Sequence, residues 1–313
     1  MKAPRREVVK IPRRRLDGVL LLDKALGLSS NHALQAARRL YCAEKAGHTG
    51  TLDPLATGLL PLCFGEATKF SGELLNADKR YVASVQLGVT TDTADAEGAV
   101  LERRPVEATR AEVEAALAAF VGEIEQVPPM YSALKRDGKP LYQYARAGIE
   151  VERAARRIHI YELRLLDGGD DLANGRFVFE VRCSKGTYVR TLAADIGDRL
   201  GCGAHLAGLR RTGIGELDVN RAHPITMLEE LPAEARDALL LPPDSLLTSL
   251  AEARLDIADA GRLRHGQAVR WSAEEGARLR VYDPEHRFIG VCRQVADGWL
   301  QPQRLVAGVW ATK

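Results

Sequence analysis

The sequence predicts an α+β protein, with a larger mixed domain followed by a small β-rich module. Three observations lead there. Runs alternating with the two-residue period of a strand, such as "YVASVQLGV" and "RFVFEVRCS", are interspersed with stretches of helical spacing such as "HALQAARRLY". From about residue 250 the helical texture gives way to "RLRVYD", "RFIGVCRQV" and "WLQPQRLV", short strands separated by glycine, proline and charged turns. At 313 residues the chain has the length for two cores. These changes of texture predict a basic arm over 1–15, a main domain over 16–249 and the β-rich module over 250–313.

The elements follow in order. "GVLLLDK" (18–24) predicts a short buried strand. "SSN" then offers N-cap oxygens to a helix that places Ala33, Leu34, Ala37 and Leu40 on one face. A glycine-rich loop follows, then the apolar run "LLPLCF", then a predicted helix from Glu66 with Phe70, Leu74 and Leu75 on its buried face. Tyr81, Ala83, Val85 and Leu87 share one side of the next strand. Thr109 and Glu112 form a capping-box pattern ahead of an apolar stripe of Val113, Leu117 and Phe120. Over about 128–152, prolines, tyrosines and basic residues replace apolar periodicity, which predicts a projecting insertion. Strands return at "RIHIYELRLLD" and "RFVFEVRCS". Leu192, Ile196 and Leu200 then mark a helix that stops at Gly201.

Composition narrows the function classes. A hydrophobic share of 46% with 27% charged residues fits a soluble globular chain. No apolar run approaches the roughly 18 residues of a membrane span. The charged start leads only into "VLLL", too short for a secretory signal. Five scattered cysteines, odd in number and never spaced C-x-x-C, argue against a disulfide framework or zinc ribbon and fit a reducing cytosol. Net charge is only +2, but seven Lys or Arg stand before Leu16 against the single Glu7. "ERAARRIHIYELR" and "LRRTG" add basic clusters, whereas "TTDTADAEG" is acidic. Such local charge suits a solvated tail or a phosphate-binding surface, and composition leaves both open.

The stretch "AGHTGTLDPLATGLL" carries the sharpest chemical signal. Asp53 is ionised at neutral pH and able to act as nucleophile or base. Pro54 restricts it to extended backbone, while Gly47, Gly50 and Gly58 permit close approach around it. A plain turn, with Asp53 bonding its own backbone, would need the same residues. Several enzyme classes lose ground here. No lysine follows a glycine at phosphate-loop spacing, no G-x-S-x-G elbow occurs, and His48, Asp53 and Cys63 lack metal-ligand spacing. Glycosidases pair two carboxylates, and this loop holds one. A lone carboxylate calls for a cation and an aromatic partner. "KRYVA" supplies Tyr81, and "CSKGTYVRTL" supplies Tyr188 and Arg190.

Taken jointly, "GVLLLDKALGLSSN", "AGHTGTLDPLATGLLPLCFGEATKF", "DKRYVASVQLGVTTDTADAEG", "PPMYSALKRDGKPLYQYARAGIEV" and "CSKGTYVRTLAADIGDRLGCGAHLAGLRRTGIG" resemble one family, in order. It is the bacterial tRNA pseudouridine-55 synthases, the TruB family. The resemblance is strong over about 16–215 and fainter beyond. It implies a largely antiparallel central sheet flanked by helices, the pseudouridine synthase fold, with a small PUA-like C-terminal β-barrel. It implies Asp53 as catalytic nucleophile, Arg190 as its ionic partner and Tyr81 as the aromatic residue against the uracil. His48 would fill the space of the flipped nucleotide, Tyr188 and Leu209 would line the uridine pocket, and Lys24 matches a lysine near the active site. The insertion at about 128–152 would clamp RNA. The implied partner is the tRNA T stem-loop, in the cytoplasm, for a monomer that needs no cofactor, no metal, no membrane and no obligate protein partner. The long basic arm and the divergent last 60 residues depart from the family pattern. Two rivals are a non-catalytic RNA-binding or RNA-chaperone protein and an RNA uridine methyltransferase. The first is opposed by the intact Asp53, Tyr81 and Arg190 set, the second by the lack of a glycine-rich nucleotide turn after a strand.

Overall fold

The computed structural model describes residues 12–168 and 171–307. Of the predicted basic arm, only 12–15 fall among the described residues. There Arg14 is already engaged, donating to Asp237 at 2.5 Å and to the carbonyl of Tyr41 at 3.0 Å.

Strands run in chain order β1 (Gly18–Lys24), β2 (Ala46–His48), β3 (Ala56–Phe64), β4 (Lys79–Leu87), β5 (Val89–Thr91), β6 (Val100–Arg103) and β7 (Gly122–Gln126). They continue with β8 (Lys135–Arg136), β9 (Lys139–Pro140), β10 (Arg156–Leu165), β11 (Arg176–Cys183), β12 (Ala204–Ile214), β13 (Leu217–Asp218) and β14 (His223–Pro224). The main helices are α1 (Ser30–Leu40), α2 (Ser71–Asn76), α3 (Arg110–Ala118), α4 (Leu141–Arg146) and α5 (Val189–Arg199). Among the described residues the large sheet has the order β14-β1-β3-β12-β4-β11-β10-β7, with β2 added to β3 and β13 to β12. The β14–β1 and β3–β12 pairs are parallel and the rest antiparallel, as expected for the predicted fold class.

Three apolar clusters hold this domain. On one face of the sheet, α3 and α5 cover Ala83, Val85, Phe177, Phe179 and Ile160. Gly197 allows that fit, because a Cβ there would stand 2.4 Å from the Ala204 Cβ. Near β1 and β3, Ala33, Leu34 and Ala37 of α1 pack on Leu20, Leu22, Leu60 and Leu62, whose neighbours Leu21 and Leu59 face a separate cluster. Ser29 caps α1 at the amide of His32, and Thr109 with Glu112 completes the capping box of α3. One expectation needs correcting after Glu66. A 3-10 turn over Gly65–Phe70 precedes α2, and this tighter winding buries Phe70 and Leu74 but leaves Leu75 51% exposed.

The C-terminal module is an open five-stranded half-barrel with β15 (Ala251–Arg254), β16 (Val269–Arg270), β17 (Arg278–Tyr282), β18 (Phe288–Val295) and β19 (Trp299–Leu305) in the order β15-β17-β18-β19-β16. It has its own core of Leu255, Leu263, Val281, Ile289 and Leu300. Phe288 meets Phe70 at 5.4 Å between ring centres, and Arg278 forks onto Glu73 at 2.7 and 2.8 Å. The module is thus joined to the large domain by both packing and charge.

Candidate active site

Asp53 lies in the connection between β2 and β3, and three backbone tethers hold it. Ser30 Oγ accepts from the Leu52 amide at 2.7 Å and donates to its carbonyl at 3.0 Å. The Asp53 carbonyl accepts from Ala56 N–H at 3.0 Å, and the Pro54 carbonyl accepts from Gly27 N–H at 2.9 Å. The backbone of Asp53 therefore closes a turn through its carbonyl, without the side-chain bond to its own backbone that a plain Asp turn would use. Its carboxylate does something else. Oδ2 stands 3.0 Å from Arg190 Nη2, with 47% of the Asp53 side chain open to solvent against 8% for Arg190.

Arg190 sits in the first turn of α5, where the helix dipole opposes a cation. Its position is enforced by acceptors on three segments. Besides Asp53, Nη1 reaches Asp95 Oδ2 at 3.2 Å and Nη2 donates to the Tyr131 carbonyl at 2.6 Å. Asp95, only 3% exposed, is held in turn by Thr93 Oγ1 at 2.6 Å and the Glu97 amide at 3.1 Å. Removal from water pushes the Asp53 carboxyl above its ordinary value and Asp95 adds to that, while Arg190 and Lys24 pull it back. Crowding by protein thus dominates even though the outer face of the carboxylate stays open.

Tyr81 on β4 pairs in register with Arg211 on β12, and Ala83 pairs with Leu209. Leu209 in turn pairs with Ala56 on β3, three residues from Asp53. Directly paired residues share a face, so Tyr81 and Leu209 lie on the same side of the sheet. Close approach of β3 and β12 depends on Gly58, at φ +97°, where a Cβ would come within 2.3 Å of the Arg211 carbonyl. Burial raises the Tyr81 phenol, while the neighbouring Arg211 acts in the opposite direction.

Lys24 is 1% exposed and donates to the carbonyls of Ala25 at 3.0 Å and Leu28 at 2.6 Å. It braces the turn beside Asp53 and lends it positive potential. His48 is half-buried; burial and Arg211 hold its imidazole below the usual histidine range, hence neutral at pH 7. Its Nδ1 and the Oγ1 of Thr49 are buried without a hydrogen-bond partner among the described residues. Tyr188, half-buried, is the N-cap residue of α5. The structure therefore gathers Asp53, Arg190 and Lys24 around one carboxylate, with Tyr81 and Leu209 on the adjoining sheet face.

Two residues of this site were not singled out from sequence. Asp95 belongs to the acidic stretch "TTDTADAEG", where nothing local distinguishes it from Asp92 or Glu97. Arg211 belongs to "LRRTG", a basic cluster suited on sequence to phosphate binding. Instead Arg211 is 2% exposed, donates to the carbonyls of Leu59 at 2.8 Å and Gly50 at 3.4 Å, and pairs in register with Tyr81. Its neighbour Arg210 pairs with Asp23 at 2.7 Å. A buried guanidinium without acceptors would cost several kcal/mol, so these two carbonyls tie the Gly50 loop to β3 through Arg211.

Comparison with known proteins agrees along the chain. Residues 38–189 match the TruB family pseudouridylate synthase N-terminal domain, residues 190–248 the tRNA pseudouridylate synthase B C-terminal domain, and residues 251–306 the C-terminal domain of pseudouridine synthase II TruB. The tRNA pseudouridine synthase B of Burkholderia mallei is 59% identical over 304 residues, covering 95% of this chain and 96% of the relative. That of Cupriavidus metallidurans is 55% identical over 305 residues, with 95% and 96% covered. Among solved structures, a Cbf5-Nop10-Gar1 complex superposes with a TM-score of 0.70 at 23% identity, covering 92% of this chain and 84% of that one. An H/ACA RNP bound to a substrate RNA containing 2'-deoxyuridine gives 0.69 at 20% identity, with 92% and 84% covered. These two share the fold. With a tethered carboxylate, its guanidinium and an aromatic partner brought together in that fold, the chain belongs to the TruB family of pseudouridylate synthases.

Proposed function

We propose that this tRNA pseudouridine synthase converts uridine 55 of the T loop to pseudouridine, with Asp53 as the nucleophile. The reaction breaks the N1–C1' bond and makes a C5–C1' bond, and the proton lost from C5 is matched by one gained at N1. Formula, charge and oxidation level are unchanged. The chemistry thus asks for a nucleophile that keeps the separated pieces together, and for a stable anion to serve as one. The observation that carries this reading is the 3.0 Å contact between Asp53 and Arg190. The partly open carboxylate faces a guanidinium that is itself locked in place and that opposes the upward push of burial on the Asp53 carboxyl.

A uridine within a folded loop must leave its stack, at a cost of a few kcal/mol. Tyr81 and Tyr188 offer rings for the extruded base, and Leu209 an apolar wall. His48, half-buried on β2 ahead of the Asp53 loop, would fill the space of the extruded nucleotide. The segment 128–152 folds as the β8–β9 hairpin followed by α4, and its exposed Lys135 and Lys139 suit a clamp on phosphates. One chain holds the whole residue set, so a monomer in the cytoplasm suffices.

The test is incubation of a transcribed tRNA with wild-type protein and with Asp53→Asn, mapping carbodiimide-reactive positions and measuring RNA mass. Wild type should give a reactive adduct at position 55 with no change in mass, and Asp53→Asn should give none while still binding tRNA. Conversion by Asp53→Asn at the wild-type rate would overturn the nucleophile assignment, and a modified position other than 55 would overturn the site.

A further inference from the structure

Gln126 closes β7 and is 3% exposed. Alternation along "GEIEQ" puts it on the same side as Ile124, which packs against the α3 and α5 core, so an apolar residue would be the ordinary occupant. An amide at such a position costs stability unless both of its ends are bonded. Both are. Nε2 donates to the Tyr188 carbonyl at 3.1 Å, and Oε1 accepts the Tyr188 N–H at 2.8 Å. The side chain thus grips both backbone groups of one residue, much as a neighbouring strand would.

The residue it grips is where α5 begins. Tyr188 makes no side-chain cap bond of its own, and its carbonyl also accepts the first helical bond, from Leu192 N–H at 3.0 Å. Arg190 lies two residues further, in the turn where the helix dipole disfavours it. The same segment that leaves Gln126 returns at Tyr131, whose carbonyl takes the Arg190 Nη2 proton at 2.6 Å. The end of β7 and the root of the projecting segment therefore hold α5 at two adjacent points, one of them the arginine that meets Asp53.

We propose that Gln126 is a positioning residue for the isomerisation. By fixing the backbone of Tyr188, it sets the angle at which α5 starts. That angle decides whether Arg190 reaches Asp53 and where the Tyr188 ring stands. The inference rests on the reading of Asp53 and Arg190 given above. It adds a residue that touches neither the carboxylate nor the base.

The experiment compares Gln126→Leu and Gln126→Glu with wild type on transcribed tRNA, following single-turnover rate, tRNA affinity and the acid limb of the rate–pH profile. Leucine keeps the volume but makes neither bond. The rate should fall roughly 10- to 100-fold, the loss typical of slight misplacement, while affinity stays within about threefold. Because Arg190 lowers the Asp53 pKa, its displacement should also move the acid limb to higher pH. Burial favours a protonated glutamic acid at this position, which offers one donor and one acceptor. Gln126→Glu should therefore regain rate relative to the leucine variant as pH falls, ahead of the Asp53 limb. A leucine variant within about twofold of the wild-type rate overturns the proposal, as does a loss with an unmoved acid limb. A glutamate variant well below the wild-type rate at every pH down to the Asp53 limb also overturns it, and that arm alone decides if the leucine variant does not fold. If neither folds, Gln126 braces the domain as a whole and the proposal falls. An Asp53→Asn control that still converts uridine would instead sink the underlying nucleophile reading, whatever Gln126 does.

Discussion

Asp95 Oδ2 lies 3.2 Å from Arg190 Nη1, in an ion pair whose side chains are only 4% and 8% exposed. Arg190 thus bridges two carboxylates, one sealed and one partly open. The sealed one is placed to orient the guanidinium, and the open one keeps a face toward solvent.

Asp95→Asn separates orientation from binding. The amide oxygen can keep the bonds from Thr93 Oγ1 and the Glu97 amide, so its nitrogen must then face Arg190, donor against donor. Single-turnover rate should drop by roughly 100-fold, the scale of losing one preorganised electrostatic contact. tRNA affinity, measured by filter binding, should barely change.

The Asp53 carboxyl is raised above its ordinary 3.8 in the folded chain. The sign follows from linkage. A raised acid pKa means that the folded state holds the proton more tightly, so ionisation destabilises it once pH exceeds the folded pKa. That penalty disappears below the unfolded value. Asp53→Asn should therefore melt at or above the wild-type temperature near neutral pH, and the difference should shrink on acidification. On the proposed role of Asp53, activity should run the other way, because the anion would be the nucleophile. A melting temperature clearly below wild type at neutral pH would show that the carboxylate serves the fold.

Asp195 on α5 is pushed up to about 6 by burial and by Asp198. Stability should accordingly decline as pH rises from its ordinary 3.8 through about 6. Asp195→Asn should remove that slope. Urea midpoints of the two proteins should agree at about pH 4 and favour the variant at about pH 8. Equal midpoints at both would contradict it.

Lys135 and Lys139 flank the tip of the β8–β9 hairpin and are exposed. If they meet phosphates, replacing both by alanine should weaken tRNA binding. The slope of log affinity against log salt should become shallower by about 0.7 to 0.9 for each lost contact. An unchanged slope would remove the hairpin from the RNA interface.

Much of this arrangement could be read before folding. Alternation in "YVASVQLGV" identified the strand that carries Tyr81, and the capping box at Thr109 marked the start of α3. Both signals are local, set by side-chain periodicity and by hydrogen bonds spanning three residues. The winding after Glu66 misled because Phe70, Leu74 and Leu75 fit one helical face only if the turn is α from its start. Arg211 misled for another reason. Charge alone does not tell an arginine in solvent from one enclosed by carbonyls of β3 and the Gly50 loop.

The sequence by itself determined the fold class and the strands and helices whose periodicity is strong, such as β1, α1, β4, α3, β11 and α5, and it offered a carboxylate, an aromatic ring and a guanidinium at residues 53, 81 and 190. It could do so because those properties depend on the chain's own composition and short-range pattern. Only the tertiary structure decided that Asp95 backs Arg190, that Gln126 fixes the start of α5, and that Arg211 is enclosed beneath Tyr81. Each of these pairs residues that lie far apart along the chain. Their hydrogen bonds form only after the large sheet has brought β3, β4, β7, β12 and α5 together, and no local period encodes that meeting.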